Sequence, residues 1–596
     1  MNALTQYALT GLELERFDKE RYVVEKSKDN KKIIKIVDDE KSVYLGSKYS
    51  TKRDVTQFIE QMKEYNLNTI FIVYGIGTGE HILELLKVIN EKNKILIIEP
   101  DINILAMFKT FVCYHEIMED DRVVVTLFEE NKVNILCKSF IEEFNVNNIK
   151  IMIYANYDKL YKEELIKCYA LLRGFVQSSA INILTTQSFS KQFFESFIKN
   201  IKHIIKSAEV GNFKDIYKGK PAVIVSAGPS LEKNIKQLTE VKEEFVIFSG
   251  GRTVSTLKAV GVVPDVVAVV DAGLASYLTI KASLDCEAPL AFCEVSNFDV
   301  VNQYKGSKIF FQEGFNLSKV TAEILGKHID TLFQGGSVAH TCISLAVYMG
   351  CNPIIFIGQD LAYTNGKLHA DIATSFNNKA DDKNKILVDD VYGNKVMTDT
   401  LFNSYRKYIQ EFISICPNTV FINSTEGGAN IKGTKVAKLR DTIEKYKSNT
   451  PIDKDKIKVQ LENKSFDKEL ISNNIKLIFN NMKNIQKDCK KAVKVSDEIM
   501  EYYLKRKDKN INALLKFISR LNIKIQKLEI LNNLLQPVFY EVMMSSEYAE
   551  KQNETENERG IKLAKQTNKL YSSIVQSIND AIPLVEQCLL ELKEME

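Results

Sequence analysis

The sequence predicts an α/β protein with two sheet domains and a helical C-terminal region, on three observations. Short apolar runs alternate with amphipathic helical stretches from Thr69 to Ile422, the pattern of strands joined through helices. Strand, Gly-containing turn and helix follow one another at Gly75, Gly228 and Gly251. That order brings backbone N–H groups and helix starts to the ligand edge of an open sheet. From Lys464 onward the pattern is helical almost throughout, with Pro537 and Pro583 as the only prolines. The expected division is a Rossmann-like N-terminal domain with connecting helices (1–205), a central Rossmann-like domain (206–445) and an α-helical C-terminal domain (446–596). Ser448-Asn449-Thr450-Pro451 marks the last boundary.

Composition narrows the function classes. The 596 residues are 45% hydrophobic and 26% charged, ordinary for a globular chain of several domains. Lys+Arg 80 against Asp+Glu 77 leaves +3, so no net field argues for nucleic acid. No run reaches the ~18 apolar residues of a membrane span. The ten cysteines form no C-x-x-C pair, which points away from a zinc site or disulfide framework and toward a reducing, cytoplasmic setting.

Along the chain, a helix is expected around Leu12–Phe17, then strands at Tyr22–Val24, Ile33–Val37 and Val43–Leu45. Thr69–Tyr74 reads as a strand, Gly75-Ile76-Gly77-Thr78-Gly79 as a tight loop, and Lys94–Ile98 as a strand closing on Glu99-Pro100-Asp101. This is the order in which a loop approaches an adenosine ligand and an acid binds ribose hydroxyls. On its own it resembles the first half of a class I methyltransferase. The competing reading is a Rossmann-like turn without a ligand, because a lone Gly-rich turn is a weak signal. Strands follow at Arg122–Leu127 and Ile149–Tyr154. A long helical zone runs from Leu160 to about Ser207, with Phe189, Phe193, Phe194 and Phe197 as a packing stripe.

In the central part, Ala222–Val225, Phe245–Phe248 and Val266–Val270 read as strands that deliver Gly228-Pro229-Ser230, Gly251-Arg252 and Asp271. Leu290–Phe292 and Lys308–Phe311 continue the sheet. Asp330–Phe333 leads as a strand into Gly335-Gly336-Ser337 and the helix that begins near His340. Ile354–Ile357 ends in Gly358-Gln359-Asp360, followed by Tyr363 and His369. The polar run 377–385 reads as a mobile loop. Met397–Ile415 reads as a helix carrying Tyr405, Arg406 and Tyr408, assigned to packing and surface, and His340 reads as packing or capping. Val420–Ile422 ends in the Glu426-Gly427-Gly428 turn. Further on, Leu514, Ile518, Leu521, Ile525 and Leu528 have the spacing of a helix–helix seam.

AGPSLEKNI, SGGRTVSTLKAVGVVPDVVAVVD, GGSVAHTCISLAVYMGCNPIIFIGQDLAYTNGKLHA and NSTEGGANIKG together resemble the motility-associated factor (Maf) flagellin glycosyltransferases. The likeness extends to GIGTGEHI, IIEPD and the helical C-terminus. That family's central domain is in turn similar to bacterial sialyltransferases and archaeal hydroxymethylpterin diphosphokinase. The resemblance implies transfer of a pseudaminic- or legionaminic-type nonulosonic acid from a CMP-sugar to Ser or Thr hydroxyls of flagellin, in support of flagellum assembly and motility. Gly228, Pro229, Ser230, Gly335, Gly336 and Ser337 would meet the nucleotide, with Gly251, Arg252 and Asp271 on the donor side. Asp360, Tyr363 and His369 would be catalytic, and Glu426 and Gly427 acceptor-side. The sialyltransferase base, a His near the helix starting at about Met397, has no counterpart there, and His369 stands in for it.

The transfer requires the departing phosphate to be stabilised and the acceptor hydroxyl to be presented. No cofactor is required on this reading, and Mg²⁺ on Asp271 with Asp360 is not favoured, since neither sits in a D-x-D pair. Three other functions compete. One is a diphosphokinase-like transferase using ATP and metal, one a methyltransferase acting at Gly75–Gly79, and one a non-catalytic flagellin-binding scaffold. The C-terminal helices suit flagellin docking or self-association.

Overall fold

The computed structural model describes residues 3–38, 41–314, 317–373, 385–448, 450–505, 510–551 and 554–595. The chain folds into two compact units. One comprises Met1–Ser188, Cys489–Arg520 and Leu535–Ile574; the other comprises Phe189–Asp488, Leu521–Leu534 and Val575–Glu596. Both are α/β, and the C-terminal helices contribute to each.

In the first unit, β1 (Tyr22–Lys26), β2 (Lys32–Asp38) and β3 (Lys41–Tyr44) form an antiparallel sheet. The four-stranded sheet contains β4 (Ile70–Tyr74), β5 (Lys94–Glu99), β6 (Val123–Leu127) and β7 (Ile149–Ile153), all parallel, in the order β6-β5-β4-β7. The chain builds outward from β4 and then returns to its other side, as in a Rossmann-like half. β4 is buried along its whole length, which is why it reads as an unbroken apolar run. The first helix is Ala3–Leu9, and Leu12–Phe17 is not helical. This corrects the expected position: Gly11, at φ +80, ends the helix.

The second unit holds a nine-stranded parallel sheet. Its first seven strands in chain order are β8 (Ala208–Glu209), β9 (Ala222–Val225), β10 (Val246–Gly250), β11 (Val266–Val269), β12 (Leu290–Phe292), β13 (Lys308–Phe310) and β14 (Ile354–Ile357). An antiparallel hairpin of β15 (Lys385–Asp389) and β16 (Lys395–Asp399) comes next and forms a separate two-stranded sheet. The last two strands of the large sheet are β17 (Phe421–Asn423) and β18 (Lys435–Val436). The sheet runs β18-β17-β14-β9-β10-β11-β12-β13-β8. From β9 the chain moves one way through β13, then crosses back to place β14 on the other side of β9. Loops leaving two such strands diverge, and the crevice between them is where open α/β sheets bind ligands.

Three further expectations are corrected. Asp330–Phe333 is not a strand; Thr331 makes a single bridge to Gln312. The helix after the hairpin is Thr400–Ser414, with Met397 in β16 and Asp399 as its N-cap. The run read as one helix from Leu231 is a four-residue α-turn followed by a 3₁₀ segment, Ile235–Glu240. The polar run 377–385 lies outside the described residues except for Lys385, which opens β15.

The C-terminal helices are Lys468–Lys505, Ile511–Gln526, Glu529–Met543 and Glu556–Glu594. Pro537 and Pro583 lie inside the last two. On the expected seam, Leu521 and Ile525 are buried. Of the expected packing stripe on Lys162–Ile205, Phe194 and Phe197 are buried and Phe193 is half-buried, whereas Phe189 is 39% exposed. Among the described residues no helix is long and apolar enough to cross a membrane.

Candidate functional site

The strand ends of the second unit surround a cavity of about 320 Å³, within the range of small-ligand pockets, about 300–1,000 Å³. Ser226–Gly228 follow β9, Gly250–Thr253 end β10, Asp271 follows β11, and Gly358–Leu361 follow β14. Gly336–Ala339 add the start of helix Val338–Tyr348. His369 comes from the segment after Tyr363, and Phe402 and Tyr405 from helix Thr400–Ser414.

One side of this cavity favours an anion. Arg252 is half-buried, and among the described residues no carboxylate pairs with it. Burial lowers its pKa, but a guanidinium starts so high that it stays charged at neutral pH. Helix Val338–Tyr348 starts at the same wall, with Ser337 as its N-cap. An eleven-residue helix concentrates positive potential and free N–H groups at that end.

The Gly228–Ser230 turn does something other than expected. The Gly228 N–H donates to the Gly358 carbonyl (2.7 Å), and the Leu231 N–H to the Gly228 carbonyl (3.0 Å). The Ser230 N–H donates to Asp360 (3.2 Å), and its hydroxyl does so at 2.6 Å. Pro229 has no N–H to give. The donors of this turn are therefore engaged inside the protein. Gly228 is needed for close approach: a Cβ there would stand 2.2 Å from Asp360 Oδ1.

Asp360 is the other half of that clamp. Both its oxygens accept from Ser230 or Thr364, the Thr364 hydroxyl at 2.6 Å. Burial outweighs these bonds and raises its pKa. Tyr363 turns from the cavity and donates its hydroxyl to Asp399, the helix N-cap. Gly427 and Gly428 wrap Asp360 from outside: a Cβ at Gly428 would lie 2.3 Å from the Asp360 carbonyl. Glu426 offers its carbonyl to Lys233 at 2.5 Å. Pro229, Ser230, Gly335, Tyr363, Glu426 and Gly427 are thus not on the cavity wall. Gly335 packs under His340, which is buried and bonded to the Ser337 and Tyr405 carbonyls.

Asp271 and Asp360 follow β11 and β14, three strand spacings apart, or roughly 14 Å at ~4.8 Å each. One Mg²⁺ holds its oxygens at ~2.1 Å, so this pair does not close on a single cation. His369 lines the cavity beside Arg252. Burial, reinforced by that cation, brings its pKa down to about 4, although the imidazole is hydrogen-bonded to the Ala227 backbone. Tyr405, assigned to packing from sequence, faces the cavity instead. The available signal was its position on the helix entered directly from the Asp399 cap.

The Gly75–Gly79 loop of the first unit is filled from within. A Cβ at Gly75 would lie 2.4 Å from the Tyr157 ring. The Tyr157 hydroxyl donates to Glu99 (2.6 Å) and accepts from the Gly77 N–H (3.0 Å). Glu99 is fully buried and also accepts from Ile76 N–H; burial pushes its pKa up to about 8. Asp101 accepts from the hydroxyls of Tyr22 and Tyr161 (2.6 and 2.7 Å). The acids that would hold a ribose are committed to tyrosines, which favours the reading of a tight turn without a ligand.

Against known proteins, residues 195–366 match the family model "6-hydroxymethylpterin diphosphokinase MptE-like". No curated protein matches the chain in sequence. Among solved structures, the Maf glycosyltransferase from Magnetospirillum magneticum AMB-1 is similar at a TM-score of 0.61 and 15% identity, covering 99% of this chain and 97% of that one. The chain shares the Maf fold. The likeness covers 99% of this chain, so the expected α/β fold class with a helical C-terminal region holds. The MptE-like match ends at residue 366, before His369, the β15–β16 hairpin and the helix carrying Phe402 and Tyr405.

Proposed function

We propose that the chain is a glycosyltransferase that moves a nonulosonic acid from a CMP-sugar to Ser or Thr hydroxyls of flagellin. The observation that carries this reading is Arg252, unpaired among the described residues, beside the start of helix Val338–Tyr348, on a cavity at the crossover of β9 and β14. The near end-to-end likeness to a Maf glycosyltransferase supports it.

CMP departs readily once the charge developing on its phosphate is met. Arg252 and the N–H groups at Gly336–Val338 are preorganised for that charge in a partly enclosed site. Gly228, Gly251 and the Ser230–Asp360 clamp hold the loops that shape the cavity. The reading needs no metal between Asp271 and Asp360. The MptE-like match favours a second reading, a diphosphokinase-like transfer from ATP, on the same sheet.

Calorimetric titration separates these. The full chain is expected to bind CMP, with no heat from S-adenosylmethionine. Binding of ATP–Mg²⁺ without CMP would favour the diphosphokinase reading. Binding of S-adenosylmethionine would overturn the assignment of the first unit.

A further inference from the structure

We propose that Asp271 is the general base that takes the proton from the acceptor hydroxyl; this rests on the glycosyltransferase reading. The cavity wall carries five side chains able to titrate: Arg252, Asp271, Asp360, His369 and Tyr405. Arg252 is a cation with no lone pair to offer. Asp360 has both oxygens committed to Ser230 and Thr364. His369 adjoins Arg252 and is hydrogen-bonded to the Ala227 backbone, so a second positive charge there is opposed. Tyr405 is a neutral phenol whose pKa is raised by burial and by the nearby Asp271 and Asp399 carboxylates.

Asp271 differs from all four. Its side chain is exposed to the cavity, and among the described residues that carboxylate has no hydrogen-bond or ion-pair partner. Its backbone is nevertheless fixed. The Asp271 carbonyl accepts from Asn297 N–H (3.0 Å), and the Ala272 carbonyl accepts from the amides of Asn297 and Gln192, each at 2.8 Å. A held backbone under an uncommitted carboxylate is the arrangement a proton acceptor needs. β11 lies directly beside β10, so Asp271 stands one strand, ~4.8 Å, from the strand that delivers Arg252. The base therefore adjoins the anion site, where the anomeric carbon is one C–O bond from the phosphate. The protein surrounding Asp271 raises its pKa, which makes it a better proton acceptor than an ordinary carboxylate.

The step balances. The acceptor oxygen forms a bond to the anomeric carbon as the carbon–phosphate oxygen bond breaks. The bond electrons leave with CMP, and the hydroxyl proton passes to an Asp271 oxygen.

The test compares the full chain with Asp271→Asn and Asp271→Glu, using CMP for binding and CMP-pseudaminic or CMP-legionaminic acid with purified flagellin for transfer. Asp271→Asn is expected to bind CMP as the parent does while kcat falls about 100-fold or more, within the span of general-base effects. The parent's rate should drop as the pH falls through the raised Asp271 pKa, Asp271→Asn should lack that acid limb, and Asp271→Glu should recover part of the rate. Transfer by Asp271→Asn at the parent's rate would overturn the assignment. So would a loss of CMP affinity that accounts for the loss of transfer, which would make Asp271 a donor ligand. A parent that transfers nothing from either donor would remove the glycosyltransferase reading and this inference together.

Discussion

Arg252→Ala is expected to weaken CMP binding roughly 30- to 150-fold, the equivalent of ~2–3 kcal/mol for a charged hydrogen-bonding group lost from a partly enclosed anion site. The size follows from the absence of any acid paired with Arg252 among the described residues: no competing partner has to be displaced when phosphate arrives. The substitution should also move His369. Burial is the larger cause of its pKa near 4, and Arg252 adds to it. Removing the cation therefore raises the His369 pKa, while burial keeps it below the ordinary 6.5. Calorimetry reads the first effect and NMR titration of the imidazole the second. A raised His369 pKa with unchanged CMP affinity would show that Arg252 faces the cavity but does not hold the phosphate.

Asp360→Ala is expected to act first on folding. It strands the Ser230 hydroxyl and N–H and the Thr364 hydroxyl in a buried place. At ~1–3 kcal/mol for each unsatisfied donor, with some relaxation, the expected loss is about 3–5 kcal/mol. The sign of its pH dependence follows from the raised pKa. Asp360's contribution is full below its unfolded pKa of about 3.8 and declines as the pH rises through the higher folded value. Urea unfolding should show a larger deficit for Asp360→Ala in mild acid than at about pH 8. An unchanged midpoint would contradict the clamp, and catalysis would then be the reason to keep an acid there.

Much of the fold was legible because the parallel strands are buried on both faces. Ala222–Val225 and Leu290–Phe292 stand where the apolar runs placed them. The β15–β16 hairpin was not, because its strands are largely exposed, begin and end on charged residues (Lys385, Asp389, Lys395, Asp399), and set their apolar residues side by side without a strand's alternation. Helical spacing from Leu401 onward then drew Met397 into the wrong element.

The cavity was legible at the level of strand ends. A parallel sheet puts Arg252, Asp271 and Gly358–Asp360 on one edge whatever the loops do. Which side chains face the ligand depended on pairings the sequence does not display. Ser230 meets Asp360 across 130 residues and Tyr363 meets Asp399 across 36. Those pairings engage the side chains of Ser230, expected at the donor, and of Asp360 and Tyr363, expected to be catalytic, in bonds within the protein. Tyr405 goes the other way, because its helix starts beside the cavity instead of behind it.

The most direct test of the central claim is the mass of purified flagellin after incubation with the full chain and a CMP-activated nonulosonic acid. The expected result is an increase by whole nonulosonic acid residues on Ser or Thr, with release of CMP, and a much smaller yield from Arg252→Ala. Flagellin of unchanged mass, with pseudaminic and legionaminic donors both tried and CMP still bound, would contradict it.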